Sequence, residues 1–393
     1  MSKSPISLYT ETRPKPNFER VSVYFHIPFC TRKCAYCHFY VIPEKEESKQ
    51  QLVEGFQKEW RLRLPQLQGK EIVSIYFGGG TPSLLGASFI AQILDWIYKD
   101  ANIITHPEIT LEANPENITL QAMQQYAQAG INRLSIGIQT FNDKLLNILT
   151  RTHDAEKAIQ SVYLAEKAGL ENISIDLMYD LPGQTLADWQ HTLMQASSLP
   201  ITHLSLYNMT IEPTALFFKH QTAIRAMMPD EDTSLAMYEL AIDTLQKAGL
   251  NQYEISAFAK GDHMSRHNLG YWLGRPFLGF GPSAFSYWEG ARFRNIANLN
   301  TYSRILNEGS FPVDFEERLS LDAARRELFV IALRTCAGVH LANFQEQHGD
   351  LDAQFLTTLD KLQQEGLIQY RNNCLCLTRR GILLYDAIAS ELI

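Results

Sequence analysis

The chain has 393 residues, of which 45% are hydrophobic and 20% charged, a balance that leaves ample material for a buried core. Its 35 Lys and Arg against 43 Asp and Glu give a net charge of −8, which excludes the basic footprint of a nucleic-acid-binding protein. Six cysteines in so long a chain exclude a disulfide scaffold, and no apolar run reaches the length of a membrane span.

Residues 1–20 read as an N-terminal lead without the apolar segment of a secretory leader. From 21 to 215 strand-like and helix-like segments alternate. Strands are predicted at 21–27, 72–77, 108–112, 133–138, 173–178 and 203–207, short runs of Val, Ile, Leu and Tyr bounded by turn formers. Amphipathic helices at 120–129 and 155–168 lie between them, with Gly130 and Gly169 placed as C-caps. Repeated β–α units imply a parallel sheet with right-handed crossovers, and six of them make a partial (β/α)6 barrel of the α/β class. Residues 216–315 are less regular, with Gly- and aromatic-rich runs around 270–293, and extend the barrel. From 316 to 393, helices at 321–334, 341–348 and 354–365 precede strands at 367–370 and 374–377. Asn372-Asn373 turns those strands, which gives a small winged-helix-like C-terminal domain. Eight Lys and Arg against eleven Asp and Glu in that domain favour an interaction or lid role over DNA binding.

The first strand runs into Tyr24-Phe-His-Ile-Pro-Phe-Cys30-Thr-Arg-Lys-Cys34-Ala-Tyr-Cys37. This C-x3-C-x2-C spacing offers three thiolates to a cubane iron–sulfur cluster that takes four ligands, so one iron stays open to a small chelator. The amine and carboxylate of S-adenosylmethionine suit that position. A Cys3His zinc site recruiting His38 or His26 is the competing use of the same thiols. Zinc ligands usually come as two pairs from separate turns, and these three share one loop, which favours the cluster. Cys336, Cys374 and Cys376 read as core or surface thiols. An oxygen-sensitive cluster needs a reducing compartment, which points to the cytoplasm.

In parallel sheets of this kind chemistry gathers at the carboxyl ends of the strands. The second predicted strand ends in Gly78-Gly-Gly-Thr-Pro82, where glycines let a ligand approach the backbone closely. Glu112 and Gln139 end two more strands, Asp176 lies near the end of another, and Arg151 follows in a loop. Carboxylates there suit ribose hydroxyls and a sulfonium. A cap or salt bridge is the competing reading for each residue alone.

These motifs resemble the radical-SAM proteins. Over residues 20 to about 390 the chain is similar to the HemN/HemW family of oxygen-independent coproporphyrinogen III oxidases and haem chaperones. The stretches that carry the likeness include Tyr76-Phe-Gly-Gly-Gly-Thr-Pro, Leu134-Ser-Ile-Gly-Ile-Gln-Thr-Phe-Asn and Asp176-Leu-Met-Tyr-Asp-Leu-Pro-Gly-Gln-Thr. The resemblance implies a [4Fe–4S] cluster on Cys30, Cys34 and Cys37. It implies an S-adenosylmethionine site at Tyr24, Tyr36, Gly79, Gly80, Thr81, Glu112, Gln139, Arg151 and Asp176. The chaperone branch carries an H-N-x-x-Y-W motif, here His267, Asn268, Tyr271 and Trp272. An imidazole can ligate haem iron, and Tyr and Trp can stack on a porphyrin; on the residues alone, a satisfied buried corner is the competing reading. The chain departs from the chaperones at His38-Phe39-Tyr40, where they read Asp-Phe-Asn, and at Phe285, which stands at a usually polar position.

The implied function is a haem chaperone that carries haem, or another tetrapyrrole, to haem-dependent respiratory proteins. It would work in the cytoplasm or peripherally at the inner membrane face, and a homodimer is compatible with this reading. The alternative is an oxidase that decarboxylates propionates to vinyl groups through a 5′-deoxyadenosyl radical. Whether the chain is an enzyme is left open by its sequence.

Overall fold

The computed structural model describes residues 19–393, so the expected N-terminal lead lies outside the described residues but for its last two. Six strands pair in sequence order, each parallel to its neighbours: β1 (Arg20–Ile27), β2 (Glu71–Gly79), β3 (Asn102–Ala113), β4 (Arg133–Gln139), β5 (Asn172–Tyr179) and β6 (His203–Asn208). Helices Glu46–Arg63, Ala87–Asp100, Leu120–Ala129, Ala155–Lys167 and Leu186–Ser197 lie in the crossovers. This is the six-unit partial barrel that the alternation predicts.

Period-2 alternation makes the two faces of the sheet. On β1 Val21, Val23, Phe25 and Ile27 are buried in one core cluster with Trp60, Ile93 and Trp189 from the covering helices. The intervening Ser22, Tyr24 and His26 belong to the other face, which lines the barrel interior. Register keeps that face polar across strands, since Ser22 pairs with Ser74 and Glu112 with Ser135. The helices start and stop where capping chemistry directs. Thr119 accepts from the Ala122 N–H at 3.2 Å, and Gly130 ends the same helix at φ 108°.

Residues 216–315 are more ordered than their composition suggests. A helix at Glu231–Lys247 is followed by β7 (Asn251–Glu254) and β8 (Ala257–Ala259), with β8 antiparallel to β6. At the opposite edge β9 (Phe277–Phe280) runs parallel to β1, and β10 (Phe285–Trp288), β11 (Ala291–Asn295) and β12 (Val313–Arg318) continue antiparallel. The sheet therefore reaches twelve strands and extends past both edges of the six-unit core. Strands this short, interrupted by glycine, carry too little periodicity to be read from sequence. Gly279 makes the β9–β10 approach possible, because a Cβ there would meet the Phe285 carbonyl oxygen at 2.1 Å.

β12 crosses the expected domain boundary at 315/316. Beyond it, helices Leu321–Leu333, Leu341–His348 and Ala353–Gln364 precede a hairpin of Ile368–Arg371 and Cys374–Leu377. Asn372 and Asn373 adopt φ 51° and 62°, the left-handed pair that a two-residue hairpin turn requires. Phe329 packs edge-on against Phe344 and Phe355 in a core separate from that of the barrel. Two further helices, Arg379–Leu383 and Tyr385–Leu392, were not expected. The module docks through Arg334, whose guanidinium lies 4.3 Å from the Trp272 ring centre and 5.2 Å from that of Tyr385. No helix among the described residues is long and apolar enough to cross a membrane.

Candidate functional site

The cysteine loop leaves the carboxyl end of β1. A parallel pairing of Phe29–Cys30 with Ile42–Pro43 closes its base. Ala35, between two of the cysteines, pins its middle. The Ala35 N–H donates to Thr150 Oγ1 at 3.0 Å, and its carbonyl accepts from the Phe217 N–H at 2.9 Å. Cys30, Cys34 and Cys37 line one cavity of about 400 Å³. Among the described residues no three His, Cys, Asp or Glu side chains converge closely enough to grip a single metal ion. Thiols spread around one cavity suit a cubane, which places each cysteine on a different iron. Burial pushes the Cys30 thiol up to about 11, so a bound metal must displace its proton.

The strand ends complete this cavity. Gly79 has φ 118°, and a Cβ on Gly80 would meet the Phe29 carbonyl oxygen at 2.6 Å, so the glycine turn lies flush against the cysteine loop. Glu112 accepts from the Tyr76 hydroxyl at 2.8 Å and from the Gly79 N–H at 3.0 Å. Burial, with Asp176 nearby, nevertheless raises its carboxyl to about 7. Burial raises Asp176 as well, and it accepts from Ser135 Oγ at 3.2 Å. Arg151 donates from Nη2 to the Gly137 carbonyl at 2.6 Å and to Asn114 Oδ1 at 2.8 Å, while its buried Nε has no partner among the described residues. Asn114 in turn donates to Thr81 Oγ1 at 2.9 Å, and Thr81 Oγ1 lies 3.5 Å from Cys30 Sγ. Gln139 and Thr150 hold φ 73° and 59°, left-handed conformations that cost about 1–3 kcal/mol each and collect at sites where geometry matters. An unsatisfied guanidinium N–H, two carboxylates and a glycine cradle together suit a ligand carrying both a carboxylate and positive charge.

A second cavity, of about 630 Å³, lies between the β9–β10 edge and helix Leu321–Leu333. Tyr271, Trp272, Phe277 and Phe285 face it from the barrel, and Leu328 and Ile331 from the C-terminal module. His38 and Phe39 border both cavities. His267 is buried outside both linings. Its Nδ1 lies 3.0 Å from Ser74 Oγ and its Nε2 2.8 Å from the Tyr271 hydroxyl, so both ring nitrogens are committed to protein partners. Burial, with Arg275 and Arg133 nearby, pulls its pKa down to about 3. Asn268 also lies off the cavity, its N–H donating to the Ser265 cap at 3.3 Å.

The chain resembles known proteins over nearly its whole length. Residues 24–196 match the Radical SAM superfamily, and residues 319–384 match the HemN C-terminal domain. A heme chaperone HemW from Bacillus subtilis is 33% identical over 373 residues, covering 93% of this chain and 97% of the relative. A heme chaperone HemW from Haemophilus influenzae is 33% identical over 383 residues, covering 95% of this chain and 98% of the relative. The chain belongs to the HemW family. The solved structure of coproporphyrinogen III oxidase HemN from Escherichia coli covers 100% of this chain and 93% of its own, with a TM-score of 0.83. At 23% identity that likeness concerns the fold alone. Radical-SAM superfamily membership thus holds for the HemW-type barrel described here.

Of the residues expected around the cofactor, Tyr36, Gly79, Gly80 and Thr81 line the first cavity, as do Glu112, Gln139, Arg151 and Asp176. Tyr24 does not; it faces the second cavity, its ring 6.0 Å from that of Tyr76 and stacked on it. Sequence reasoning missed Asn114, Ser135 and Tyr207 in the first cavity. Asn114 follows two residues after Glu112, and Tyr207 lies near the end of β6, so the strand-end rule applied to every strand would have found both.

Proposed function

We propose that the chain is a haem-binding chaperone built on a radical-SAM scaffold, passing haem to haem-dependent proteins such as those of respiration. The aromatic cavity beside the cysteine loop carries this reading: a flat, apolar macrocycle needs such a slot, and Tyr271 and Trp272 of the H-N-x-x-Y-W motif face it. His267 and Asn268 support that wall from behind, through the Tyr271 hydroxyl and the helix start.

In this reading Cys30, Cys34 and Cys37 hold a [4Fe–4S] cluster by three thiolates. Tyr36, Gly79, Gly80, Thr81, Gln139, Glu112, Arg151 and Asp176 hold S-adenosylmethionine, with Tyr24 packed behind them on Tyr76. When bound, cluster and cofactor supply one-electron chemistry. The chain's own residues do the rest. Arg151 offers its free Nε to a carboxylate, Glu112 and Asp176 accept from hydroxyls or balance a sulfonium, and the glycine turn brings backbone amides close.

The test is a titration of hemin into the anaerobically reconstituted protein, followed at the Soret band. Saturable binding of one haem per chain is expected, together with haem transfer to an apo-haemoprotein. Absence of saturable binding would overturn the reading. Vinyl product from coproporphyrinogen III in an anaerobic assay with a reduced cluster would instead assign the oxidase activity.

A further inference from the structure

Whatever occupies the second cavity meets three arginines and two histidines in its walls, and these are not equivalent. Arg292 is neutralised by Glu317 and by Glu327, at 2.5 and 2.6 Å, and Arg294 by Asp314 at 3.0 Å. Among the described residues no carboxylate hydrogen-bonds to Arg275. Its Nη1 donates to Ser22 Oγ at 3.3 Å and to the Arg266 carbonyl at 2.9 Å. Burial, with Arg20 and Arg266 nearby, lowers its pKa to about 10 against the pull of Glu108. A partly buried guanidinium in that state gains from any carboxylate delivered to it.

The histidines differ in the same way. His26 is buried, with Nδ1 3.1 Å from the Tyr24 hydroxyl and Nε2 3.3 Å from the Tyr40 carbonyl. His38 is exposed, its ring leans on Phe39 with centres 4.5 Å apart, and neither ring nitrogen has a partner among the described residues. An imidazole with a free nitrogen at the mouth of an apolar slot is the kind of ligand that iron in a porphyrin takes. His267, committed at both nitrogens, would have to break two hydrogen bonds and leave the barrel interior to do the same.

We propose that haem enters this cavity with its iron on His38 and a propionate on Arg275. The assignment rests on the haem-chaperone reading and names the residues that would grip the cargo. It uses groups that the H-N-x-x-Y-W motif does not contain, and it gives that motif the role of an aromatic wall.

The experiment is hemin titration of the full-length, cluster-loaded protein beside His38→Ala, His38→Gln, Arg275→Gln and His267→Ala, with iron and sulfide content as a folding control. Loss of the imidazole-ligated Soret and visible bands is expected in both His38 variants, with recovery on adding free imidazole. Arg275→Gln should weaken hemin binding about tenfold and bind the hemin dimethyl ester as the parent does. Wild-type bands retained in both His38 variants, or lost only in His267→Ala, would overturn the iron assignment while leaving the chaperone reading in place. Equal hemin affinity in Arg275→Gln would overturn the propionate assignment. No saturable hemin binding by the parent protein would overturn the chaperone reading itself, and the assignment with it. If His38→Ala loses its cluster through neighbouring Cys37, the His38→Gln spectrum decides.

Discussion

Burial, with Asp176 close by, holds the Glu112 carboxyl at about 7 despite hydrogen bonds from Tyr76 and Gly79. The folded-state pKa lies above the ordinary 4.5, so the stability that neutral Glu112 contributes is full below about 4.5 and lost as pH rises through about 7. A cationic ligand reverses that preference, because it favours the ionised carboxylate. Affinity for S-adenosylmethionine is therefore expected to climb with pH up to about 7, at most about tenfold per pH unit. Calorimetric titration across that range checks it, and a flat profile in the parent protein or an unchanged one in Glu112→Gln would refute it. His26 and His267 act in the opposite sense. Burial depresses them to about 4 and about 3, so the stability they contribute is present above about 6.5 and drains away as pH falls. His267→Ala should cost about 2–4 kcal/mol, measured as a shift in denaturant midpoint, because it empties a buried site and strands Ser74 and Tyr271.

Among the elements, the two joins that extend the six-unit core are the ones most open to disruption. At the β9–β10 join, Gly279→Ala would drive a methyl into the Phe285 carbonyl, and about 1–3 kcal/mol of stability should be lost with the aromatic cavity misshapen. Thermal unfolding and hemin affinity should fall together in that variant while cluster content holds. At the other join, the Arg334 guanidinium stacks on Trp272 and Tyr385 and reaches Glu254 at 3.4 Å. Arg334→Ala should loosen the C-terminal module, seen as faster hydrogen exchange in helix Leu321–Leu333 with the barrel strands unchanged. The sequence announced its elements very unevenly. Strand β4 and helices Leu120–Ala129 and Leu341–His348 were legible because periodicity and capping agree there, and the Asn372-Asn373 turn because its chemistry is local. Strand β3 was read five residues long but begins at Asn102, since His106 and Pro107 interrupt its apolar run. β7 to β12 were hidden because pairing with distant strands, and not their own pattern, makes them strands.

At the scale of the whole molecule, most of the first cavity's lining was legible from sequence, and of the second only Tyr271 and Trp272. The residues around the first are fixed one by one to the ends of consecutive strands, so topology assembles them. The second is assembled from the cysteine loop, a late sheet edge and the C-terminal module, a convergence that no local motif encodes. Tyr24, expected beside the first cavity, lines the second, and sequence does not reveal that Ser74 and Tyr271 already hold His267. The two cavities should separate experimentally. Replacing Cys30, Cys34 and Cys37 together by alanine is expected to abolish iron–sulfur absorbance and lower the melting temperature, since a bound cluster stabilises the folded state. Stoichiometric hemin binding should survive, weakened because the loop bearing His38 and Phe39 loses its anchor. That loop borders both cavities, and within it Cys37 and His38 are consecutive residues about 3.8 Å apart along the backbone. A ferric haem on one and a reduced cluster on the other would be two unpaired spins at close range. Each would hasten the magnetic relaxation of the other, so microwave power saturation of the cluster signal would report whether cargo is aboard, with no label attached to either.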